Sequence, residues 1–426
     1  MPIHLFTIVC LLLMTSLPAV AQTEGQRRQI TDAGAVGDGV TLNTPAIQKT
    51  IDQVAEKGGG TVVIPAGKFL SGAIFLKPGV NLLLEKDAVL LGSTKIDDYP
   101  PMPTRIEGHT QVWRPALVNA DKCDHLQITG PGTIQGGGKP YWDAFWGRIK
   151  ADAKTKNLDV DRPRNIFIRD SKDVLVSGLF LRESGFWNLH LYRCQNVTID
   201  KMDIRTPPGA PSTDGIDVDS SQDVTIRGCY ISVDDDDIAL KGSKGPLADQ
   251  DKDSPAVERI HVTDCTFGYG HGVVTLGSEA CIVRDVLVEN CKVEDDPDAA
   301  KATNHNILAR LKLRPDTPQH YQDIHFRNIT INSSGTLISI EPWTQYFDLQ
   351  GHEPPAQVVE NITLENITGS AGGFGAIAGA KNATVQNITL KDIDLTLKNP
   401  KVSIKKVEGL KIDNVKINGQ PFEPGT

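Results

Sequence analysis

A short phrase recurs along this chain and limits what it can fold into. Each copy holds a turn-forming residue, most often Asn or Asp, then an apolar residue, one variable residue and a second apolar residue. Ten copies are centred on Leu126, Val174, Val197, Val224, Ile260, Val286, Ile324, Ile362, Ile388 and Leu410. Within each copy apolar and polar residues alternate, which is the period-two pattern of a β-strand.

The spacing of the copies sets the size of the repeating unit. Neighbouring copies stand 22–27 residues apart where they are closest, and the other intervals are 36, 38 and 48 residues. We interpret the intervals of 36 and 38 residues as one unit with an inserted loop, and the 48-residue interval before Val174 as one that contains a missed copy. A single strand cannot bury its apolar face, whereas stacked copies share a continuous core. A leucine-rich repeat would need a regular Leu frame, and a propeller about 40 residues per blade. We therefore predict an all-β, single-domain, right-handed parallel β-helix.

The N-terminus has the pattern of an export signal. Residues 6–20 are almost entirely apolar, and Ala19 and Ala21 have the small-x-small spacing of a signal-peptidase site. Because the run is too short for a stable membrane span, we expect residues 1–21 to be removed and the protein to be periplasmic or secreted. We assign residues 22–100 to an N-terminal cap and the first coils, and residues 101–426 to the β-helix that carries the active site.

Residues 43–57 predict a helix at the beginning of the solenoid. Thr44 is a candidate N-cap with Pro45 at the first helical position, and Ile47, Ile51 and Val54 form an apolar stripe. We expect this helix to cover the open end of the β-helix, where the first coil would otherwise expose backbone and core.

Charge and cysteine content exclude several classes of partner. The net charge is −9, with 53 acidic and 44 basic residues, which argues against a nucleic-acid or anionic-membrane partner. Six cysteines lie beyond the signal, and none has the spacing of a metal ligand set. We interpret them as buried core residues, and a disulfide between Cys281 and Cys291 remains open. Solenoids need no partner for stability, so we expect a monomer.

Three acidic residues are spaced so that coiling brings them together. Asp214 precedes Asp235 and Asp236 by about one unit of the repeat, and strands on neighbouring coils lie about 5 Å apart. Like charges so close raise at least one pKa, which gives the protonated acid and ionised base that glycoside hydrolysis uses. A Ca²⁺ site or a solvated acidic turn remains open, although the Gly and distant Glu of a Ca²⁺-binding loop are missing.

A histidine and a basic row follow on later coils. His271 stands between glycines 36 residues after Asp235, which is one coil plus the insertion 242–257. Arg310, Lys312 and Arg314 alternate with leucines, so we expect them on one face of a strand. Such a row is suited to holding a carboxylate, because Arg can bind it with two parallel hydrogen bonds. Simple charge balance of a surface strand is the alternative.

Read in order, the segments STDG, DDDDIALKG, GHG and RLK resemble the four motifs of the polygalacturonase family of pectin hydrolases, glycoside hydrolase family 28. Two further segments resemble those of bacterial members: DAGAVGDG with its following helix, and PWTQYFDLQG at residues 342–351. The resemblance covers nearly the whole chain after the signal. Each motif alone is weak, but four in this order on a β-helix repeat are specific.

The resemblance implies an enzyme that hydrolyses α-linked galacturonic acid residues in pectic polysaccharide or oligosaccharide, with inversion and without a metal or cofactor. Inverting enzymes hold acid and base roughly 6.5–9.5 Å apart to admit a water. By position in the motifs, Asp235 would be the general acid, while Asp214 and Asp236 would orient and deprotonate the water.

The last two motifs imply supporting roles. His271 would keep the acid protonated or contact the substrate, and Arg310 and Lys312 would bind the sugar carboxylate. The length of the loops 242–257 and 295–306 favours exo action, because a groove closed at one end accepts a chain end.

Two other functions remain open from the sequence. A pectate-lyase-type β-helix would use Ca²⁺ and a basic residue, and would make an unsaturated product that absorbs in the ultraviolet. A non-catalytic carbohydrate-binding β-helix would require the acids, the histidine and the basic row to be dispersed.

Overall fold

The computed structural model describes residues 26–299 and 306–422, so the expected signal at residues 1–21 lies outside the described residues. Within these ranges, 33 strands form one continuous sheet that winds as a solenoid, and nearly all its pairings are parallel. This is the right-handed parallel β-helix that the repeat predicts. No helix in the described part of the chain is long and apolar enough to cross a membrane.

Each complete coil contributes a strand to each of three faces. The first face holds Ile74–Leu76, Val118–Asp121, Ile166–Arg169, Leu189–Tyr192, Ile216–Asp219, Asp236–Lys241, Gly272–Leu276, Ile307–Leu313, Thr336–Pro342 and the ends of Gln357–Ala378 and Ala383–Lys405. The second face holds Arg27–Gln29, Gly60–Ile64, Val80–Leu84, Gln127–Thr129, Lys172–Ser177, Gln195–Asp200, Gln222–Arg227, Val257–Thr263, Ile282–Glu289, the beginnings of His320–Asn332, Gln357–Ala378 and Ala383–Lys405, then Val407–Glu408 and Lys411–Ile417.

The third face completes each coil. It holds Asp38–Leu42, Gly67–Ser71, Ala88–Gly92, Thr133–Gln135, Phe180–Arg182, Asp203–Arg205, Tyr230–Ser232, Thr266–Phe267, Lys292–Glu294 and the continuation of the three long strands. A final short strand, Gln420–Pro421, turns back antiparallel. Short 3-10 turns occupy Ile30–Ala33, Ile96–Asp98, Asn157–Asp159, Ala248–Gln250 and Pro297–Ala299.

The ten repeat copies lie in register on the second face. Val174 pairs with Val197, and the same column continues through Val224 and on to Ile388. The pairings of the adjacent residues place Leu126 and Leu410 at its two ends. The recurring phrase therefore forms the second-face strand of every coil from the fourth coil onward, as the spacing predicts.

The missed copy expected before Val174 does not exist. Ile128 pairs directly with Val176, so the 48-residue interval is a single coil. Its extra length holds a second helix, Lys139–Ala151, and the segment that leads back to the sheet. The interpretation was wrong because an inserted helix and an extra coil add similar numbers of residues.

The turn-forming residue of each copy adopts a left-handed backbone conformation. The residues just before the ten centres have φ between 50° and 64°: His125, Asp173, Asn196, Asp223, Arg259, Asp285, Asp323, Asn361, Asn387 and Gly409. Asn, Asp and Gly tolerate this region better than other residues do. The sharp bend at the start of each second-face strand explains why these residue types recur.

The predicted capping helix spans Thr44–Glu56. Ile47, Ile51 and Val54 are fully buried in a core that continues from Ile30 to Ile417. The N-cap residue is Asn43, not Thr44, whose hydroxyl instead accepts a hydrogen bond from the backbone N–H of Gly72 at 2.7 Å. The helix therefore begins one residue earlier than its sequence signal suggests.

Two insertions stand beside the first face. One is the helix Lys139–Ala151, and the other is an antiparallel hairpin of Met102–Ile106 and His109–Trp113. The six described cysteines are free and buried, which confirms the core interpretation, and the Cys281–Cys291 disulfide is not formed.

Candidate active site

The three predicted acids meet at the edge of the first face. Ile216 pairs with Ile238, so Asp214 is level with Asp236, and Asp235 precedes it by one residue. The N–H of Gly215 donates to the carbonyl of Asp236 at 2.9 Å and fixes this register. One carboxylate oxygen of each acid lies within 4.8 Å of the others. Coiling brings the three carboxylates together as predicted.

His271 lies on the next coil, against Asp235. Gly272 pairs with Asp236, which places His271 level with Asp235. Its backbone N–H donates to the Asp235 carbonyl at 2.8 Å, and its Nδ1 lies 3.0 Å from Asp235 Oδ1. The imidazole is thus held in contact with one acid of the three by both backbone and side chain.

The basic row reaches the cluster from the coil after that. Arg310 Nη1 donates to Asp236 Oδ1 at 2.9 Å, and Lys312 Nζ donates to Asp236 Oδ2 at 2.7 Å. Arg314 does not join them, because its guanidinium binds Asp316 at 2.7 Å. In this structure the two cations expected to hold a sugar carboxylate hold Asp236.

The surrounding charges shift the pKa values of the three acids in different directions. Burial alone would raise the pKa of Asp236, but Lys312 and Arg310 outweigh it and hold that pKa well below its usual range. For Asp235 the charge of His271 likewise outweighs burial and lowers the pKa. Burial raises the pKa of Asp214 to about 7, helped by the charges of the other two acids. The structure therefore favours the proton on Asp214 over Asp235 among the carboxyls.

The charges around the pair favour His271 over Asp235 as the holder of the proton expected on Asp235. Burial would lower the pKa of His271, yet the adjacent Asp235 carboxylate raises it above the ordinary value. The shifts therefore favour the titrating proton of the pair on the imidazole, whose Nδ1 contacts the carboxylate. This division could not be deduced from spacing, since it depends on which nitrogen faces which oxygen.

Three acidic oxygens so close could in principle hold a cation. The surroundings fit one poorly, because Asp236 already binds Arg310 and Lys312, and Asp235 binds His271. Ca²⁺ takes six to eight oxygen ligands and gains from uncompensated carboxylates. The arrangement favours acid–base chemistry over metal binding.

The cluster opens into a cavity of about 550 Å³. Its walls come from the inserted helix, the turn Asn157–Asp159, the hairpin tip, the loop before Asp214, the insertion 242–257 and the segment after the basic row: Glu107, Phe145, Trp146, Asn157, Gly209, Pro211, Lys244, Trp343, Gln345 and Tyr346. Aromatic side chains such as these provide flat apolar surfaces for sugar rings. Trp343, Gln345 and Tyr346 lie in the segment 342–351 that resembles bacterial members, and Lys244 lies in the insertion 242–257. The other wall residues had no signal in the sequence, because they come from segments outside the repeat.

The comparisons with known proteins identify the family. A family model described as "Glycosyl hydrolases family 28" matches residues 56–419. The chain belongs to glycosyl hydrolase family 28. A second model, described as "Rhamnogalacturonase A/epimerase, pectate lyase-like", matches residues 27–84, which contribute none of the clustered acids.

Relatives within family 28 come from plants and bacteria. A "Probable polygalacturonase" of Vitis vinifera is 31% identical over 71% of this chain, which spans 60% of that relative's length. An "Endo-polygalacturonase" of Pectobacterium parmentieri is 29% identical over 88% of this chain and 87% of its own length. Among solved structures, an exopolygalacturonase from Thermotoga maritima superposes with a TM-score of 0.73 at 23% identity, covering 93% of both chains, which shows a shared fold.

Proposed function

We propose that this family 28 glycoside hydrolase cleaves α-linked galacturonic acid residues of polygalacturonate, acting on pectic polysaccharide or oligosaccharide outside the cytoplasm, as a monomer. The observation that carries the proposal is the contact of three gathered carboxylates, two buried and one partly exposed, with separate cations in the wall of the cavity. The names of the relatives, which include polygalacturonases of both bacterial and plant origin, support the substrate class.

The proposed roles follow from the contacts. Asp236, ionised between Arg310 and Lys312, takes the proton of the attacking water, and Asp214 orients that water. Asp235 delivers the proton of its pair with His271 to the leaving oxygen. Because general acid and base must touch the reacting atoms, both carboxylates have to face the cavity, and both line it.

Arg310 and Lys312 are proposed to bind the substrate carboxylate as well. Their side chains are 20% and 11% exposed, and each retains donors beyond those given to Asp236. Guanidinium and ammonium groups can serve two anions at once because they carry five and three N–H donors. An anionic sugar would then lie directly against the acids.

Exo action is the finer part of the proposal. The inserted helix supplies Phe145 and Trp146, and the hairpin supplies Glu107, so two insertions wall the cavity on the side of the earlier coils. The indole N–H of Trp146 donates to the Gly209 carbonyl at 2.8 Å and ties the helix to the loop before Asp214. Walls of this kind would stop a polymer from continuing past the site.

Product analysis tests the substrate and the direction of attack. We expect release of small uronic-acid products from polygalacturonate with slow loss of viscosity, and much slower attack on rhamnogalacturonan. A rise in ultraviolet absorbance, or loss of activity with a chelator, would identify a lyase instead. Rapid loss of viscosity at low conversion would retain hydrolysis and contradict exo action.

The stereochemical outcome is a separate prediction. We expect the first product to have the anomeric configuration opposite to that of the substrate, as the family resemblance implies. Proton NMR of the anomeric region during the first minutes of hydrolysis would show it. Retention of configuration would contradict this prediction and would make one of the acids a nucleophile.

The pair of His271 and Asp235 predicts a change in pH dependence. In the native enzyme the basic limb of kcat/KM should report loss of the pair's proton, at the raised pKa of His271, whose burial is outweighed by Asp235. In His271→Gln the proton must reside on a carboxyl, so the limb should move to lower pH by one unit or more. His261→Gln is the control, since His261 contacts Glu289 at 2.9 Å on the outer surface. An unmoved limb in His271→Gln would contradict the shared proton.

A further inference from the structure

One more cation touches the acidic cluster, and no role has been assigned to it so far. Lys241 ends the strand that begins with Asp236, and its side chain lines the cavity although it is only 5% exposed. Its Nζ lies 3.1 Å from Asp214 Oδ2 and 4.6 Å from the centre of the Trp187 ring. A lysine between a carboxylate and an aromatic face is attracted to both.

The same ammonium group serves more than one acid. Asp217 Oδ1 lies 3.5 Å from Lys241 Nζ, and Glu279 Oε2 lies 3.9 Å from it. Asp217 is fully buried, so water cannot replace the lysine there. Glu279 has a second cation, Arg314, at 3.7 Å. Asp214 and Asp217 thus depend on a lysine that they share.

The raised pKa values of Asp214 and Asp217 are consistent with one lysine shared between them. Burial raises the pKa of Asp214 to about 7, against the lowering effect of Lys241. Burial also raises the pKa of Asp217 well above its ordinary value. The charged groups around Asp214 are Lys241, Asp217, Asp235, Asp236, Lys312 and Arg162.

Two of these cations are already committed to other acceptors. Lys312 binds Asp236 at 2.7 Å, and the fully buried Arg162 donates to the Pro211 carbonyl at 2.6 Å. Lys241 is therefore the cation in direct contact with Asp214. It comes from the same strand as Asp236, so one strand delivers both a catalytic acid and the partner of its neighbour.

We propose that Lys241 is a positioning residue for the hydrolysis: its ammonium group orients Asp214 and allows that carboxyl to ionise beside Asp235 and Asp236. The inference rests on the proposed function, in which Asp214 orients the attacking water. Lys241 acts through Asp214 and needs no contact with the substrate.

The first test is the pH profile of kcat/KM on polygalacturonate oligomers. Loss of an opposite charge at this distance raises a carboxyl pKa by about one to three units. The acid limb of Lys241→Met should therefore move to higher pH by that amount, and Lys241→Arg should restore the native limb. Lys77→Met is the control, because Lys77 also pairs with a carboxylate, that of Asp52 at 2.7 Å, and is not among the residues that line the cavity.

The second test does not need activity. A carboxyl whose folded pKa is raised stabilises the fold at low pH and loses that contribution as pH rises through the folded pKa. Without Lys241, ionising Asp214 and Asp217 becomes harder, so the drop in melting temperature of Lys241→Met should be small at pH 5 and larger at pH 8. Lys241→Gln serves as the second neutral variant if the methionine variant does not purify.

The outcomes separate the inference from the proposed function. A melting-temperature difference that is equal at both pH values, or an unmoved acid limb in an active Lys241→Met enzyme, would overturn the role of the charge. Equal defects in Lys241→Arg and Lys241→Met would do the same and assign Lys241 to packing. An inactive native enzyme would refute the proposed function alone, and the pH-dependent melting difference would still decide the inference.

Discussion

Replacing Asp235 by Asn should reduce kcat by about 10²–10⁴-fold with little change in KM, because a positioned proton donor contributes that much to catalysis. The amide has the same shape and can still contact His271 Nδ1, but it cannot deliver a proton to the leaving oxygen. Initial rates of reducing-end release from polygalacturonate oligomers, measured at saturating substrate, would show the loss.

Asp237→Asn is the matched control for this result. Asp237 lies two residues further along the chain and is fully buried, and burial raises the pKa of its carboxyl well above the ordinary value. A protonated carboxyl and an amide are both neutral, so this variant should keep its kcat within a few-fold of the native enzyme. If Asp235→Asn were as active as Asp237→Asn, the proposed proton donor would be wrong.

Replacing Asp219 by Asn should lower the free energy of unfolding by about 3–5 kcal/mol, since it leaves a buried arginine without its partner. Asp219 receives two hydrogen bonds from Arg105, at 2.9 and 3.2 Å, and both side chains are at most 2% exposed. The pair joins the hairpin insertion to the first face. Denaturant unfolding at neutral pH would measure the change.

The control for that prediction is an exposed pair of the same chemistry. Asp121 binds Arg169 with side chains 46% and 29% exposed, so Asp121→Asn should cost at most about 1 kcal/mol. Burial would raise the pKa of Asp219, but Arg105 outweighs it and holds that pKa well below the usual range. The contribution of Asp219 is therefore present above an ordinary carboxyl pKa and lost as pH falls. Equal losses in Asp121→Asn and Asp219→Asn would contradict the importance of burial.

The sequence predicted those features that depend on periodicity within one segment or on the length of one coil. The ten copies lie in one register column, and the stripe of the capping helix is buried, because both depend on periodicity along a single segment. The gathering of Asp214 with Asp235 and Asp236 follows from the length of one coil. His271 and Arg310 follow from the next coils in the same way.

Contacts between distant segments could not be deduced from the sequence. Arg105 and Asp219 are 114 residues apart, and nothing in either segment marks the other as its partner. The inserted helix was mistaken for a missed coil, since an interval length does not reveal its contents. The pairing of Lys312 with Asp236 and of Lys241 with Asp214 depends on the directions of individual side chains, which the length of a coil does not determine.

The direct pairing of Ile128 with Val176 across 48 residues has a consequence for engineering. Backbone hydrogen bonds between coils set the separation of the acids, so the length of chain that leaves the sheet between two coils does not alter it. Shortening or exchanging the segment around Lys139–Ala151 should therefore change which oligomer lengths are accepted while preserving acid–base geometry. Product length and catalytic rate are, on this architecture, separately adjustable traits.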